Sequence, residues 1–359
     1  MKELKLFSTY TGYGGAEWAL KKADIPFEVI GYSEIHKGQI KIYEQNFKDH
    51  KNYGNITDID ANNLPDFDIV TGGFPCQDVS IAGLRDLSKG RTKSIFKLLD
   101  IIKIKKPKYV LLENVEGILS MLDGELIKEI IRFLKKCGYA VSYKLLYSKN
   151  HGTPQNRPRV FIAAELGRDS FLFNPFPQKE ELKLTVTDLL EKEVDKKYYL
   201  TQKQINRIIE RSVKRNKPLG TRLNPTCATT LTTNDPNGNP CDSIYVNTIT
   251  SGDYSHQCYH NQFIIHSKQP RTGKGSGGSG PLSRDDNIAY TIDTTNSQFI
   301  IKEGMIRVLT PKECFRLQGF FNDEINIKGF SDSSLYFSAG NGWDINLVSK
   351  IFTKWFKYK

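Results

Sequence analysis

The sequence predicts an α/β protein with a doubly wound, mostly parallel sheet into which a smaller β-rich region is inserted. Up to Leu166, short apolar runs alternate with stretches of helical periodicity. Several of the apolar runs end in glycine or in an acidic residue, where such sheets bind ligands. Beyond Leu166, the chain becomes rich in Pro, Asn, Thr, Ser and Gly. Strands that alternate with helices form βαβ units, and these give a parallel sheet.

The individual elements follow from these patterns in chain order. The predicted strands cover residues 4–10, 27–34, 67–73, 108–115, 140–148 and 159–166. The helices between them are predicted over residues 16–23, 38–47, 94–104 and 126–137, the last stopped by Gly138. Near the C-terminus, Pro311 in the first turn predicts a short helix over 310–320. Leu347, Ile351 and Trp355 recur at helical spacing, which predicts an amphipathic helix that packs back on the first part.

The chain is therefore divided into an α/β domain, residues 1–175 and 306–359, and an inserted domain, residues 176–305. The inserted part contains three similar stretches that combine a Thr-Leu or Thr-Ile step, a polar turn and a β-rich end, and two of these ends, NQFII and SQFII, nearly coincide. The repeat alone is equally compatible with ordinary β-hairpins.

Bulk properties narrow the class of protein. The 359 residues carry a formal charge of +11, which favours an anionic partner such as nucleic acid, although a lysine-rich coding bias gives the same excess. There is no apolar run of about 18 residues and no signal-peptide core, so we expect a cytoplasmic protein without a membrane association. The six cysteines are scattered without metal-ligand spacing, which argues against structural zinc and against a disulfide framework.

Four features lie where predicted strands end. The glycine-rich TGYGGAE, residues 11–17, opens the first helix and is typical of a nucleotide-type cofactor turn. Glu34 ends the second strand, where a carboxylate can accept hydrogen bonds from ribose hydroxyls. Cys76 follows Pro75 after the third strand, and Glu113 ends the strongly apolar KYVLLENV. Each feature also has an ordinary structural explanation when it is taken alone.

Arg157 and Arg159 alternate in QNRPR, so both side chains are expected on one face of a strand. With this motif, the order of motifs along nearly the whole chain resembles that of the DNA (cytosine-5) methyltransferases, which use S-adenosyl-L-methionine. GGFPCQDVSIAG is similar to their nucleophile loop, ENV to their acid motif, and RVLTPKECFRLQGF to the motif that supports their recognition domain. AGNGWDINLVSKI resembles their C-terminal cofactor motif.

The resemblance implies a covalent mechanism without a metal. Cys76 would add to C6 of a cytosine flipped out of the DNA, which makes C5 nucleophilic. Glu113 would contact N3 and the exocyclic amine of the base as a general acid. Arg159 would hold the O2 side of the ring, with Arg157 beside it.

The resemblance also implies the residues that contact the cofactor and the DNA. For the cofactor these are Tyr10, Thr11, Gly12, Gly14, Gly15, Glu34, Ile35, Asn55, Ile56, Phe74, Pro75, Asn341, Gly342 and Trp343. For DNA they are Gln77, Ser80, Gln155, Thr291 and Ile292. The sequence departs from the family pattern at several cofactor positions: Tyr10, Thr11, Ile35, Asn55, Gly342 and Trp343 stand where other residues are common.

The expected activity is that of a monomeric, prokaryotic or phage-like enzyme acting on a specific double-stranded sequence, as part of restriction–modification or as a solitary enzyme. A restriction endonuclease is then a functional partner. Two alternatives differ in class. An RNA cytosine methyltransferase is disfavoured by the long inserted region. A non-catalytic DNA-binding protein is disfavoured because Cys76, Glu113 and both arginines are retained.

Overall fold

The computed structural model describes residues 2–75, 93–169, 171, 173–201, 203–204, 263–266, 282–284, 288–292, 294, 298–302 and 305–357. Its main sheet has the strand order β2-β1-β3-β4-β7-β5 within these residues. The strands are β1 (Leu4–Thr9), β2 (Phe27–Ser33), β3 (Ile69–Gly73), β4 (Tyr109–Val115), β5 (Tyr139–Tyr147) and β7 (Pro158–Leu166). All six predicted strands are therefore confirmed, with ends shifted by no more than two residues.

Helices cover both faces of this sheet. They are α1 (Gly15–Lys22), α2 (Lys37–Asn46), α3 (Lys93–Lys105), α4 (Glu125–Lys136), α5 (Pro311–Arg316), α6 (Asp332–Asn341) and α7 (Ile345–Phe356). All were predicted except α6, whose ten residues carry little amphipathic pattern. In the described part of the chain, no helix combines the length and the apolarity needed to cross a membrane.

Strand β7 runs against its neighbours β4 and β5, whereas β1, β2, β3 and β4 are parallel. The amino end of β7 therefore lies at the carboxyl end of β4, where Arg159 is opposite Val115. The sheet is mostly parallel, as expected. Its one reversed strand brings an arginine to the edge where ligands bind.

The inserted region contributes a second, antiparallel sheet in the order β12-β11-β8-β9 among the described residues. Its strands are β8 (Phe263–His266), β9 (Leu282–Arg284), β11 (Gln298–Lys302) and β12 (Met305–Val308). The two nearly identical runs found in the sequence lie on β8 and β11 and pair with each other, Ile265 opposite Phe299. A further short pair joins β6 (Gln155–Asn156) to β10 (Ala289–Tyr290).

Two apolar clusters lie on opposite faces of the main sheet. One packs α1 and α7 against it, and the other packs α3 and α4. Leu347, Ile351 and Trp355 are all buried in the first cluster, which confirms the predicted packing of the last helix. The Trp355 indole also donates a 3.0 Å hydrogen bond to Glu165 of β7, so the helix is oriented as well as buried.

A buried ion pair fastens the second sheet to the catalytic part. Arg307 of β12 donates two 2.7 Å hydrogen bonds to the Glu313 carboxylate on α5. Glu313 also accepts from the backbone N–H of Thr310, while Thr310 caps the helix in return. Both partners are almost fully buried, so neither charge can be solvated if the other is removed.

We therefore expect Glu313→Gln to lower the free energy of unfolding by about 3–5 kcal/mol, because it leaves Arg307 buried without a counter-charge. Urea denaturation monitored by circular dichroism measures the loss. Glu129→Gln, which removes an exposed partner of Arg132 on α4, is the control and should change little. Equal unfolding midpoints for the two variants would contradict the anchoring role.

Candidate active site

Glu113 and Arg159 meet at the edge where β4 ends and β7 begins. Arg159 Nε lies 2.8 Å from Glu113 Oε1, and both side chains are only about one-eighth exposed, at 13% and 12%. The neighbouring strand β3 places Gly73 opposite Glu113. A Cβ atom at Gly73 would stand 3.2 Å from Glu113 Oε2, so the carboxylate lies directly over the end of β3.

This position puts the acid beside the base of the loop that carries the predicted nucleophile. The Asn114 amide donates a 2.9 Å hydrogen bond to the Phe74 carbonyl and fixes the start of the loop. Phe74 is buried and Pro75 is exposed. Cys76, Gln77 and Ser80 lie outside the described residues.

The glycine-rich turn and Glu34 form a hydrogen-bonded unit. The Glu34 carboxylate accepts from the backbone N–H groups of Gly12, Ile35 and His36, at 2.8–2.9 Å. Gly12 has a φ of +59° and Gly14 one of +94°, which side chains with a Cβ rarely adopt. The turn therefore needs its glycines. The three hydrogen bonds hold Glu34 in one orientation. The neighbouring Ile35 is 67% exposed.

A cleft that is partly open to solvent lies between this turn and the end of α6 with the residues that follow it. Of the residues predicted to bind a cofactor, Tyr10, Thr11, Gly12, Gly15, Asn341, Gly342 and Trp343 line it. Gly14, Glu34, Ile35, Asn55, Ile56, Phe74 and Pro75 lie outside its lining. Asn55 instead caps a short helical turn by accepting from the Thr57 N–H at 3.2 Å, and Ile56 is buried.

Tyr13 closes one wall of the cleft and was missed by the sequence analysis. Its hydroxyl donates a 2.5 Å hydrogen bond to the Trp343 carbonyl. A Cβ at Gly342 would stand 1.9 Å from the Tyr13 ring, so no larger residue fits there. The only signal for Tyr13 in the sequence is its place between the glycines of the turn. Asn114, which contacts the base of the predicted nucleophile loop, was also missed. The sequence analysis singled out only Glu113 in the ENV motif.

Arg157 contacts different groups from Arg159, although the two side chains are close enough for their charges to interact. Strand β7 begins at Pro158, so Arg157 lies one residue before the strand. The guanidinium is buried and donates to the carbonyls of Ile292, Gly340 and Gly342 at 3.3, 3.0 and 2.7 Å. These contacts give Arg157 a positioning role at the cleft wall, and the catalytic role expected for it stays a prediction.

Two residues predicted to contact DNA are also buried. Gln155 is fully enclosed and donates to the Leu317 carbonyl at 3.1 Å. Ile292 is buried in the apolar cluster that contains α7. Neither side chain is presented to a ligand, so both assignments are corrected to packing roles. Thr291 is partly buried, and its hydroxyl donates to the Asn156 carbonyl at 2.9 Å.

Arg157→Lys should reduce the free energy of unfolding by about 2–4 kcal/mol, because an ammonium group cannot reach all three carbonyls and stays buried. Arg168→Lys is the matched control, since Arg168 is one-third exposed and 3.7 Å from its partner. Chemical denaturation of both variants checks the difference. Wild-type stability of Arg157→Lys would refute the three-carbonyl role.

Comparisons with known proteins agree with this geometry. The chain matches the family model described as C-5 cytosine-specific DNA methylase over residues 4–357. It is 27% identical to the orphan methyltransferase M.SPRI of Bacillus phage SPR, over 98% of this chain and 97% of that protein. It is 29% identical to the type II methyltransferase M.DsaV of Dactylococcopsis salina, over 99% of this chain and 87% of the relative.

Solved structures show the same fold. The Dnmt2 methyltransferase of S. pombe superposes with a TM-score of 0.64 at 18% identity, covering 99% of each chain. The methyltransferase EhMeth of Entamoeba histolytica gives 0.64 at 18% identity, over 100% of this chain and 99% of that one. The doubly wound, Rossmann-like fold predicted from the sequence is thereby confirmed. With a family match that spans almost all of its length, the chain belongs to the C-5 cytosine-specific DNA methylases and is a DNA (cytosine-5-)-methyltransferase.

Proposed function

We propose that this enzyme transfers a methyl group from S-adenosyl-L-methionine to C5 of a cytosine flipped out of a specific double-stranded DNA sequence, through a transient Cys76–C6 bond. The observation that carries the proposal is the Glu113–Arg159 pair beside the base of the Cys76 loop. An acid and a cation at that place match the two polar edges of a cytosine ring.

The cleft suits the proposed methyl donor. Backbone of the glycine turn is accessible along it, and the fixed Glu34 carboxylate has the geometry to accept ribose hydroxyls. The exposed Ile35 offers an apolar surface for an adenine ring, and Asn55 an amide for its edge. Asn341, Gly342 and Trp343 would hold the amino-acid end. When bound, S-adenosyl-L-methionine supplies an electrophilic methyl group.

The side chains have distinct tasks in this reaction. C5 of cytosine is a poor nucleophile, and addition of the Cys76 thiolate to C6 turns the ring into an enamine. Glu113 delivers a proton to N3 as negative charge develops there. Arg159 would contact O2 of the ring. C5 then takes the methyl group, and the donor leaves as its neutral thioether. Loss of the C5 proton, return of the N3 proton and expulsion of the Cys76 thiolate then restore the aromatic ring.

The proposed DNA contacts lie outside the catalytic pair. The target base must leave the helix to reach Cys76, so base flipping is part of the proposal. Residues 176–305 form the proposed recognition domain, with Thr291 at its junction to the catalytic domain and Gln77 and Ser80 on the catalytic loop. The protein's excess of positive charge supports phosphate binding.

The biological setting is inferred from relatives. Matching proteins include an orphan phage methyltransferase and a type II methyltransferase. We infer that this monomeric enzyme protects host or phage DNA, with a cognate endonuclease as a functional partner where one exists.

A duplex library containing 5-fluorocytosine should trap the enzyme covalently at Cys76, because fluorine at C5 cannot leave as a proton does. Peptide mapping by mass spectrometry identifies the modified residue. Cys137→Ser, which removes a half-buried cysteine of the described part, should form the adduct normally. An adduct at Cys314, or one that persists in Cys76→Ala, would overturn the assignment of the nucleophile.

Glu113→Gln should slow labelled-methyl transfer to DNA by about 10²–10⁴-fold, the usual contribution of a general acid. Affinity for the methyl donor should stay unchanged, because Glu113 lies outside the cleft lining. Glu116→Gln, an exposed carboxylate three residues further on, is the control. A rate close to that of the wild type for Glu113→Gln would eliminate it as the acid.

A further inference from the structure

Glu17 is a buried carboxylate next to the cleft to which the proposed mechanism gives no task. It lies in the first turn of α1 and has no solvent exposure. Gly15 and Ala16, which directly precede it, line the cleft. Ser8 also lines the cleft, and the Oε2 atom of Glu17 is buried without a hydrogen-bond partner among the described residues. Glu17 thus directly follows two residues of the cleft lining along α1.

The hydrogen bonds to Glu17 carry no positive charge. The Tyr43 hydroxyl donates to Glu17 Oε1 at 3.2 Å and lies 3.0 Å from His50 Nδ1. Within the described chain, no lysine, arginine or histidine forms an ion pair with Glu17. Burial raises the pKa of Glu17 to about 7, against the opposing effect of the hydrogen bonds. A buried carboxylate usually has a cationic partner, and this one has none among these residues.

We propose that Glu17 is a specificity-determining residue that makes the cleft prefer the cationic methyl donor to its neutral product. The proposal rests on the proposed cofactor, S-adenosyl-L-methionine. Its sulfonium carries a positive charge, whereas S-adenosyl-L-homocysteine has a neutral thioether at the same place and is otherwise identical. A negative charge beneath the cleft therefore stabilises the donor more than the product, and product release becomes easier.

The surroundings of Glu17 leave its charge uncompensated. Tyr32 of β2 and Tyr43 of α2 face this region. The other ionisable groups nearby, Glu34, Glu44 and His50, are two carboxylates and a histidine whose pKa is lowered by burial. The buried residues of α7, which packs against α1, are uncharged. These helices also carry lysines, all of them at least partly exposed, so none is buried beside Glu17: Lys21, Lys22, Lys37, Lys41, Lys350 and Lys354.

Isothermal titration calorimetry of the wild type and Glu17→Gln with each of the two ligands tests the proposal. The wild type should bind S-adenosyl-L-methionine more tightly than S-adenosyl-L-homocysteine, and Glu17→Gln should reduce that preference about tenfold. A change of this size is what the Coulomb attraction between two unit charges gives when they are roughly 10 Å apart at an effective dielectric of about 20. An analogue with a protonated amine in place of the sulfonium should follow the methyl donor.

The preference should also depend on pH. A carboxylate is ionised above its pKa, so the ratio of the two affinities should be larger at about pH 8.5 than at about pH 6 in the wild type, and constant in Glu17→Gln. The two ligands have the same ionisable groups, so a change in the ratio of their affinities with pH must come from a group of the enzyme. Binding of the cation lowers the pKa of Glu17 and releases a proton, which buffers of different ionisation enthalpy reveal.

Two further variants keep the test decisive if Glu17→Gln fails to fold. Tyr43→Phe removes a hydrogen bond to the ionised form, so the midpoint of the pH dependence should move to higher pH. Glu44→Gln removes an exposed carboxylate of α2 and should leave the preference unchanged. An unchanged affinity ratio in Glu17→Gln, or an unmoved midpoint in Tyr43→Phe, overturns this role alone. A wild type that binds neither ligand overturns the proposed cofactor as well.

Discussion

The guanidinium of Arg157 donates to three backbone carbonyls that the chain order separates widely, at Ile292, Gly340 and Gly342. Burial and then the charge of Arg159 lower the pKa of Arg157 to about 9, so it remains protonated at neutral pH. A charge held in this way tolerates few alternative arrangements, because each lost carbonyl leaves a donor without a partner. The cleft wall at Gly342 and the junction with the inserted region therefore depend on one side chain.

The same constraint organises the active site. Gly342 is fixed against Tyr13, and Tyr13 in turn bonds to the backbone of Trp343. Arg159, two residues after Arg157, is the second residue of the reversed strand and pairs with Glu113. The proposed cofactor cleft and the proposed base-binding pair thus depend on two arginines of one five-residue motif, QNRPR. A shift in that motif would move both at once.

The sequence predicted the fold well because its signals are local. Alternating apolar runs and helical periods located the strands, and the motifs at their ends located Glu113 and the glycine turn. The errors arose where a role depends on distant contacts. Arg157 stands one residue before β7, and the three carbonyls that it contacts are remote from it in the chain. The burial of Gln155 and Ile292 results from packing against segments remote in the chain, which no local pattern encodes.

Glu17 is a second case in which contacts between distant segments could not be predicted from the sequence. Its position after the glycine turn was visible in the sequence, but its burial and its partners were not. Only the folded arrangement shows, within the part of the chain that the structure describes, a buried carboxylate without an ion-pair partner next to the proposed cofactor cleft. Glu113, the proposed general acid for the cytosine ring, would then lie on β4. Glu17, proposed to sense the charge of the cofactor, would lie on α1.

The identity of the methylated atom tests the central claim most directly. Double-stranded DNA incubated with the enzyme and S-adenosyl-L-methionine bearing a deuterated methyl group is digested to nucleosides and separated by liquid chromatography with mass spectrometry. The account predicts deuterated 5-methyl-2′-deoxycytidine as the labelled product. Label on the exocyclic nitrogen of cytosine, or on adenine, would contradict it, because neither position requires a thiolate addition at C6.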